Sequence, residues 1–473
     1  MRRWNLLIAL GVLLGLSAYV YFVEIKGGEK RQKEKEEAEK VLPFKTEQVM
    51  SMILTHGSER IRLEKVVGKW KIQEPLQTAP DNDAVDRLLN SLQEMRISHD
   101  LGKSSDLASY NLKTPPASVE LSLQSAPKPL RVLHVGDDAP TGGGAYARLG
   151  EDGKILIVSG TEALKGANLF SLRDKTYFKF DPGKLSRVKL ATGKDEVSLV
   201  KRDGQWSLEI PVAAAAEDST VADFIYALER LTVTEFVDDK PAPDSLKKRG
   251  LGAARYRVTL HGEEWKSDPQ LQFGETDSGS LYTIRPASGA LVKVSDSIEA
   301  KLKSTVTDLR KKDLLPWARW DMAKFRITGA LPATLELKRS GDQEWDRVSP
   351  SPGVLPDDPV DLLLRNLTDL KAAEFLDRPS AKTGSYGLEQ PAAKLEFWKK
   401  GQAGTAPRVL RVGKSDGHGK VYLKDEKWPS VILVQEESWK KAVEQARKVE
   451  DQKPKAKTAP GASSTAQTAP ATP

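Results

Sequence analysis

The chain has 473 residues, no cysteine and five histidines, which is length enough for two to four domains of about 100 to 200 residues each. The missing thiols exclude disulfides, thiolate metal sites, cysteine nucleophiles and a lipid-modified cysteine. A net charge of +7 does not point to nucleic acid: Arg2, Arg3, Lys453, Lys455 and Lys457 carry five of those charges at the two ends and leave the body at +2, without the concentrated basic face that duplex binding requires.

In chain order, the first element is an uncharged run from Leu6 to Val23. As a helix it would reach about 27 Å, close to the roughly 30 Å hydrocarbon core of a bilayer. Trp4 on one side and Tyr19, Tyr21 and Phe22 on the other supply aromatic belts. Residues 1–23 are therefore expected to be an uncleaved transmembrane anchor. The competing reading is a signal peptide cut after Ala18; Leu16 two positions earlier and the bulky aromatics beyond disfavour it. Arg2 and Arg3 ahead of the span predict a cytoplasmic N-terminus and an exported body, although six basic residues in 24–40 pull the other way. Residues 24–45 are expected to be a charged stalk helix, with pairs such as Glu29 with Lys33 and Glu36 with Lys40.

From residue 46 the chain repeats itself three times with a period of about 137 residues. Trp70, Trp206 and Trp345 are each followed five residues later by proline (Pro75, Pro211, Pro350) and fifteen residues later by valine (Val85, Val221, Val360). Each valine starts the same apolar stripe: Val85, Leu88, Leu89, Leu92 and Met95; Val221, Phe224, Ile225, Leu228 and Leu231; Val360, Leu363, Leu364, Leu367 and Leu370. That spacing predicts a helix buried along one side against a sheet. Asp83, Ser219 and Asp358 stand where N-caps are expected, with Pro359 at the first helical position.

Beyond each helix come short alternating strands. The second ends in glycine (Gly136, Gly274, Gly413), and a tyrosine (Tyr146, Tyr282, Tyr422) stands twelve residues before a valine (Val158, Val294, Val434), as a hairpin of fixed length demands. The predicted fold class is α+β: a single N-terminal transmembrane helix, then three homologous, mainly antiparallel α+β domains over 46–180, 181–317 and 318–445. A disordered tail is expected over 446–473, where Thr, Ala, Pro and Ser dominate after Lys457.

The motifs that resemble chemical signatures each have a structural explanation. Asp81-Asn82-Asp83-Ala84-Val85 matches an aspartyl phosphotransferase signature, but its counterpart is Glu217-Asp218-Ser219, and helix capping explains both. Val412-Gly413-Lys414-Ser415 resembles the end of a phosphate-binding loop, yet the position needing a further glycine is Arg408. A turn is the expectation there, and a hairpin tip at Gly142-Gly143-Gly144. His56, His99, His134, His261 and His418 have no metal-ligand spacing and do not recur between copies. Tyr146, Tyr282 and Tyr422 are expected at half-buried strand positions. No catalytic, cofactor-binding or metal-binding residues are predicted.

Lys69-Trp70-Lys71-Ile72 with Pro75, Tyr386-Gly387-Leu388 with Pro391, Leu410 to Gly413, and Leu172-Arg173-Asp174-Lys175 resemble a bacterial family of membrane-anchored repeat proteins classed as a domain of unknown function. Its members are often encoded beside ABC-type transporter subunits similar to those of gliding motility systems. The resemblance covers most of residues 46–434; the second copy departs from it at Gly250-Leu251-Gly252. It implies a non-enzymatic protein of the bacterial inner membrane, single-pass with a periplasmic body, held in the membrane by residues 6–23. Its implied partners are an ABC-type permease or other envelope proteins, with no nucleic acid and no metal. The alternative expectation is a binding module for an envelope polymer such as glycan.

Overall fold

The structure is a computed structural model and describes residues 37–455, apart from 125–131, 141–142, 152, 316, 342–343, 378–382 and 402–405. The expected anchor over residues 1–23, the stalk as far as residue 36 and the tail after residue 455 lie outside the described residues. Among the described residues no helix is long and apolar enough to cross a membrane.

Each sequence repeat builds one sheet. The first contains β1 (Val49–His56), β2 (Glu59–Val66), β3 (Lys69–Glu74), β4 (Arg96–Lys103), β5 (Ala117–Leu123), β6 (Leu133–Asp138), β7 (Ala145–Leu149) and β8 (Lys154–Ser159). They lie in the order β3-β2-β1-β5-β6-β7-β8-β4 and are antiparallel throughout. Helix α1 (Asn82–Gln93) connects the β3 edge to the β4 edge, so one helix is carried across the sheet.

The second sheet repeats this plan with β9 (Leu185–Thr192), β10 (Asp195–Arg202), β11 (Gln205–Ile210), β12 (Ala214–Ala215), β13 (Val233–Asp238), β14 (Tyr256–Gly262), β15 (Gln270–Asp277), β16 (Ser280–Ile284) and β17 (Leu291–Ser295), ordered β12-β11-β10-β9-β14-β15-β16-β17-β13. The third has β18 (Met322–Thr328), β19 (Leu335–Arg339), β20 (Glu344–Ser349), β21 (Gly353–Pro356), β22 (Glu374–Leu376), β23 (Ala393–Lys399), β24 (Arg408–Ser415), β25 (Lys420–Asp425) and β26 (Val431–Gln435), ordered β21-β20-β19-β18-β23-β24-β25-β26-β22. The crossing helices are α2 (Asp218–Glu229) and α3 (Asp357–Thr368). Repeat 1 is the body of one compact unit, while most of repeat 2 shares a second unit with repeat 3.

The apolar stripe does what its spacing implies. Val85, Leu88, Leu89 and Leu92 of α1 are buried with β-strand residues such as Met52, Leu54, Ile61 and Leu63 in one core. Val360, Leu363, Leu364 and Leu367 of α3 enter the equivalent core with Phe325 and Trp345. The fifth residue of each stripe, Met95, Leu231 or Leu370, is buried just past the helix end.

The helix starts differ from expectation. The α1 N-cap is Asp81, whose Oδ1 accepts from the Ala84 N–H at 3.0 Å; Asp83 lies inside the first turn, where its charge suits the helix dipole. The α2 and α3 caps are Glu217 and Pro356, and Pro359 is the third residue of its helix. The acids of the first turn are tied to the repeated tryptophans instead: Asp218 Oδ1 accepts from the Trp206 backbone N–H at 3.0 Å, and Asp357 Oδ1 from the Trp345 indole N–H at 2.9 Å. Prolines 75, 211 and 350 all follow cis peptide bonds.

The segments that lead into repeats 1 and 3 belong to the cores that follow them. Val41, Leu42 and Phe44 are buried in the first core, and Leu314 and Leu315 in the third. At the other end, the expected tail boundary at residue 446 is corrected. Helix α4 (Glu436–Glu450) buries Ala446 and Val449, and the buried Arg347 Nη1 donates to the carbonyls of Glu450 at 2.7 Å and Gln452 at 2.9 Å. Cationic donors on the last carbonyls of a helix hold its C-terminus, and Lys455 then bridges Val354.

Candidate functional site

The glycines expected to end strands lie inside them. Each is followed by a register shift in β6, β15 and β24, between Val135 and Asp138, Phe273 and Thr276, and Val412 and Ser415. A Cβ on Gly136, Gly274 or Gly413 would stand 2.1 Å from the carbonyl oxygen of Tyr110, Arg249 or Tyr386 respectively. The residue after each of those carbonyls has positive φ: Asn111, Gly250 and Gly387. The repeated glycine is thus the floor of a close backbone crossing at a bulge. Above it, Tyr110 packs on Tyr146 with centroids 4.8 Å apart and Tyr386 on Tyr422 at 4.9 Å, while in repeat 2 Arg249 lies 4.5 Å over Tyr282.

This geometry removes the phosphate-loop reading. Gly413, Lys414 and Ser415 continue β24 as a bulged strand end rather than the turn expected, and Ser415 Oγ donates to Glu436 Oε2 at 2.9 Å. Gly143 and Gly144 lie between β6 and β7, at the tip where a hairpin was expected; residue 142 is outside the described residues. His261 Nδ1 lies 2.6 Å from Asp268 Oδ1, and His134 Nε2 lies 3.9 Å from Glu151. Among the described residues no group of three or more His, Asp or Glu side chains could hold a metal ion.

Two polar features recur. Each repeated tryptophan carries a cation on its face: Lys65 at 5.1 Å from Trp70, Lys201 at 6.0 Å from Trp206 and Arg339 at 4.4 Å from Trp345. The arginine of the Leu-Arg motif stacks on a phenylalanine, Arg173 at 3.5 Å over Phe236 and Arg310 at 3.9 Å over Phe375. Arg310 is 3% exposed, and donates from Nη1 to Asp377 Oδ1 at 2.6 Å and from Nη2 to Ser430 Oγ at 3.0 Å. The sequence marked this arginine as repeated but gave it no role.

Around Arg310 stand further groups of the third repeat, of which Asp425 and Trp428 have no like residue at the same place in repeat 2. Arg408, 7% exposed, forms an ion pair with the buried Asp425, and burial pushes its pKa down against the pull of that carboxylate. The Trp428 ring lies 5.7 Å from the Arg408 guanidinium carbon and 5.9 Å from that of Arg310. These side chains, with Lys311, Lys427 and the small residue Ala214 of β12, line a cavity of about 260 Å³. A shallower groove of about 320 Å³ runs past Trp317, Arg319, Trp320 and Lys371, with Trp320 62% exposed. In the sequence Arg408 stands out only as the residue that breaks the phosphate-loop pattern, and Trp428 draws no notice because it is not part of the repeated pattern.

Three consecutive domains, each with a crossing helix laid over an antiparallel sheet of eight or nine strands and the third with α4 in addition, define a tandem-repeat α+β protein. The family profile described as Domain of unknown function (DUF4340) matches residues 70–243, 206–356 and 345–456, and the chain belongs to this family. Each match begins at a repeated tryptophan, in the third strand of a structural domain, and the first two end in the domain that follows. No curated protein matches. Two crystal structures of the DNA polymerase sliding clamp from Pseudomonas aeruginosa are similar at 8% identity. The one with ligand covers 85% of this chain and 94% of its own at a TM-score of 0.14, the other 82% and 91% at 0.11. At such TM-scores the likeness says nothing about fold or function.

Proposed function

We propose that the protein is a non-enzymatic accessory subunit, anchored in the bacterial inner membrane by residues 6–23, whose three extracytoplasmic domains dock onto an ABC-type permease or another envelope protein. The observation that carries this reading is an outward sheet face dressed with paired charges in every repeat. Repeat 1 places Arg60 and Arg62 against Glu74 there, and repeat 2 places Arg202 and Arg187 against Glu209. In repeat 3, Arg326 bridges Glu336 at 2.6 Å and Glu396 at 3.1 Å, beside Lys324 on Trp398. The same type of surface offered three times in series suits a protein partner, since complementary charge sets specificity and encounter rate.

Affinity capture of the full chain from solubilised membranes tests the reading. Recovery of permease and ATPase subunits, lost when Leu6 to Val23 are deleted, supports it. Capture that brings down no membrane protein argues against it. Protease added to spheroplasts should digest the body; full protection there contradicts the topology. The groove beside the exposed Trp320 favours a second reading, glycan binding, because an exposed indole face flanked by polar groups suits a sugar ring; recovery of cell-wall material would favour it.

A further inference from the structure

We propose that the cavity between β12 of repeat 2 and the sheet of repeat 3 binds a small oxyanion, a carboxylate or phosphate carried on a flat apolar group. Its volume of about 260 Å³ falls just below the range of about 300–1,000 Å³ usual for larger ligands. Four cationic side chains line it, Arg310, Lys311, Arg408 and Lys427. Arg310 is matched by Asp377 and Arg408 by Asp425, and the one carboxylate on the wall, Asp313, is taken by Lys371. Lys311 and Lys427 have no carboxylate partner among the described residues, so the cavity keeps an excess of positive charge.

The fold does not require the excess charge: Arg310 and Arg408 recur as Arg173 and Arg131 of repeat 1, but Lys311 stands where repeat 1 has Asp174, and Lys427 where the other repeats have Glu151 and Ala287. Counted from the repeated tyrosine, the place of Asp425 is held by Leu149 and Arg285 in the other repeats, and that of Trp428 by Ser288 in repeat 2. A buried arginine with one carboxylate partner is costly unless its remaining donors are met, and Arg408 Nε has no acceptor among the described residues. An oxyanion between the cavity-lining Arg408 and Lys427 would give the arginine a second counter-charge beside Asp425, through charge-assisted hydrogen bonds. The Trp428 face and the alanine wall of β12 give a flat apolar group its place, and because the wall is alanine the room is left open.

Isothermal titration of the full chain in detergent tests the site with three probes: benzoate, phenyl phosphate and inorganic phosphate. The expected result is binding of the two aromatic anions, each tighter than inorganic phosphate, with Trp428→Leu removing the aromatic advantage. Lys427→Gln and Lys311→Gln should each weaken binding about tenfold. Arg408→Gln should abolish it, and the two lysine variants keep the test valid if that protein does not fold. Absence of binding by all three probes overturns the site, as does binding that the double lysine variant leaves unchanged. Inorganic phosphate bound as tightly as the aromatic anions overturns the aromatic part of the assignment.

Discussion

The carbonyl oxygen of Tyr386 stands 2.1 Å from the point that a Cβ on Gly413 would occupy. The obstacle is backbone, so it cannot swing aside as a side chain would. Gly413→Ala should cost about 1–3 kcal/mol or more, and Gly136→Ala and Gly274→Ala should follow suit. Gly341→Ala, whose new Cβ meets nothing closer than Glu344 Cβ at 3.8 Å, should stay within about 0.5 kcal/mol. Urea midpoints of the four variants measure the difference, and equal midpoints for Gly413→Ala and Gly341→Ala would refute the crossing.

Trp345 is fully buried and Trp70 nearly so, and the two lie in separate cores. Alanine at either should remove about 3–5 kcal/mol from its own core. With Trp70→Ala, hydrogen exchange should accelerate over the repeat 1 unit and leave peptides from 318–450 unchanged. Equal acceleration in both places would mean that the cores do not close separately.

Arg310 is held by an ion pair, a hydroxyl and an aromatic face at once. Arg310→Ala should therefore cost roughly 3 kcal/mol, the scale of breaking a buried pair. Arg310→Lys should recover part of the charge term but not the planar stack on Phe375. Thermal melts rank the three proteins, and a lysine variant as stable as the native chain would show that stacking contributes nothing.

His134 supplies a pH dependence. Burial first, then the Arg148 guanidinium, hold its pKa below the usual 6.5, with Glu151 pulling the other way. The unfolded chain takes up its proton first as pH falls through 6.5, so the contribution of this group is complete above that pH. It is lost as pH descends toward the lowered folded value. The urea midpoint of repeat 1 should drop across that window, and His134→Gln should flatten the drop. A midpoint that rises on acidification, and does so less in the variant, would reverse the assignment.

Much of the fold was legible because it is written three times. The stripe from Val85 to Leu92 recurs with fixed spacing, and residues that recur in this way are those a core needs. What periodicity cannot register is a single inserted residue: beyond Gly413 the strand continues only through the exposed Lys414 and Ser415, so the apolar alternation ends at the bulge and the strand reads as stopping there. Nor can it choose between Asp81 and Asp83, two acids a helix start accepts equally well. The cluster of Arg310, Arg408 and Trp428 stayed hidden for the opposite reason. Arg408 and Trp428 lie about a hundred residues or more from Arg310, and Trp428 breaks the repeat, so only the folded chain brings them together.

The segments joining the repeats have a consequence for how long such a chain can be. Lys175 O accepts from the Val233 N–H at 2.7 Å, and Lys312 O from the Ala372 N–H at 2.9 Å, so the end of one repeat is hydrogen-bonded to the segment just after the crossing helix of the next, at the equivalent place each time. Excising residues 173–309 would bring Leu172 directly onto Arg310 and restore the same junction with one repeat fewer. Whole repeats can in this sense be gained or lost by recombination at one kind of joint, without inventing a new one.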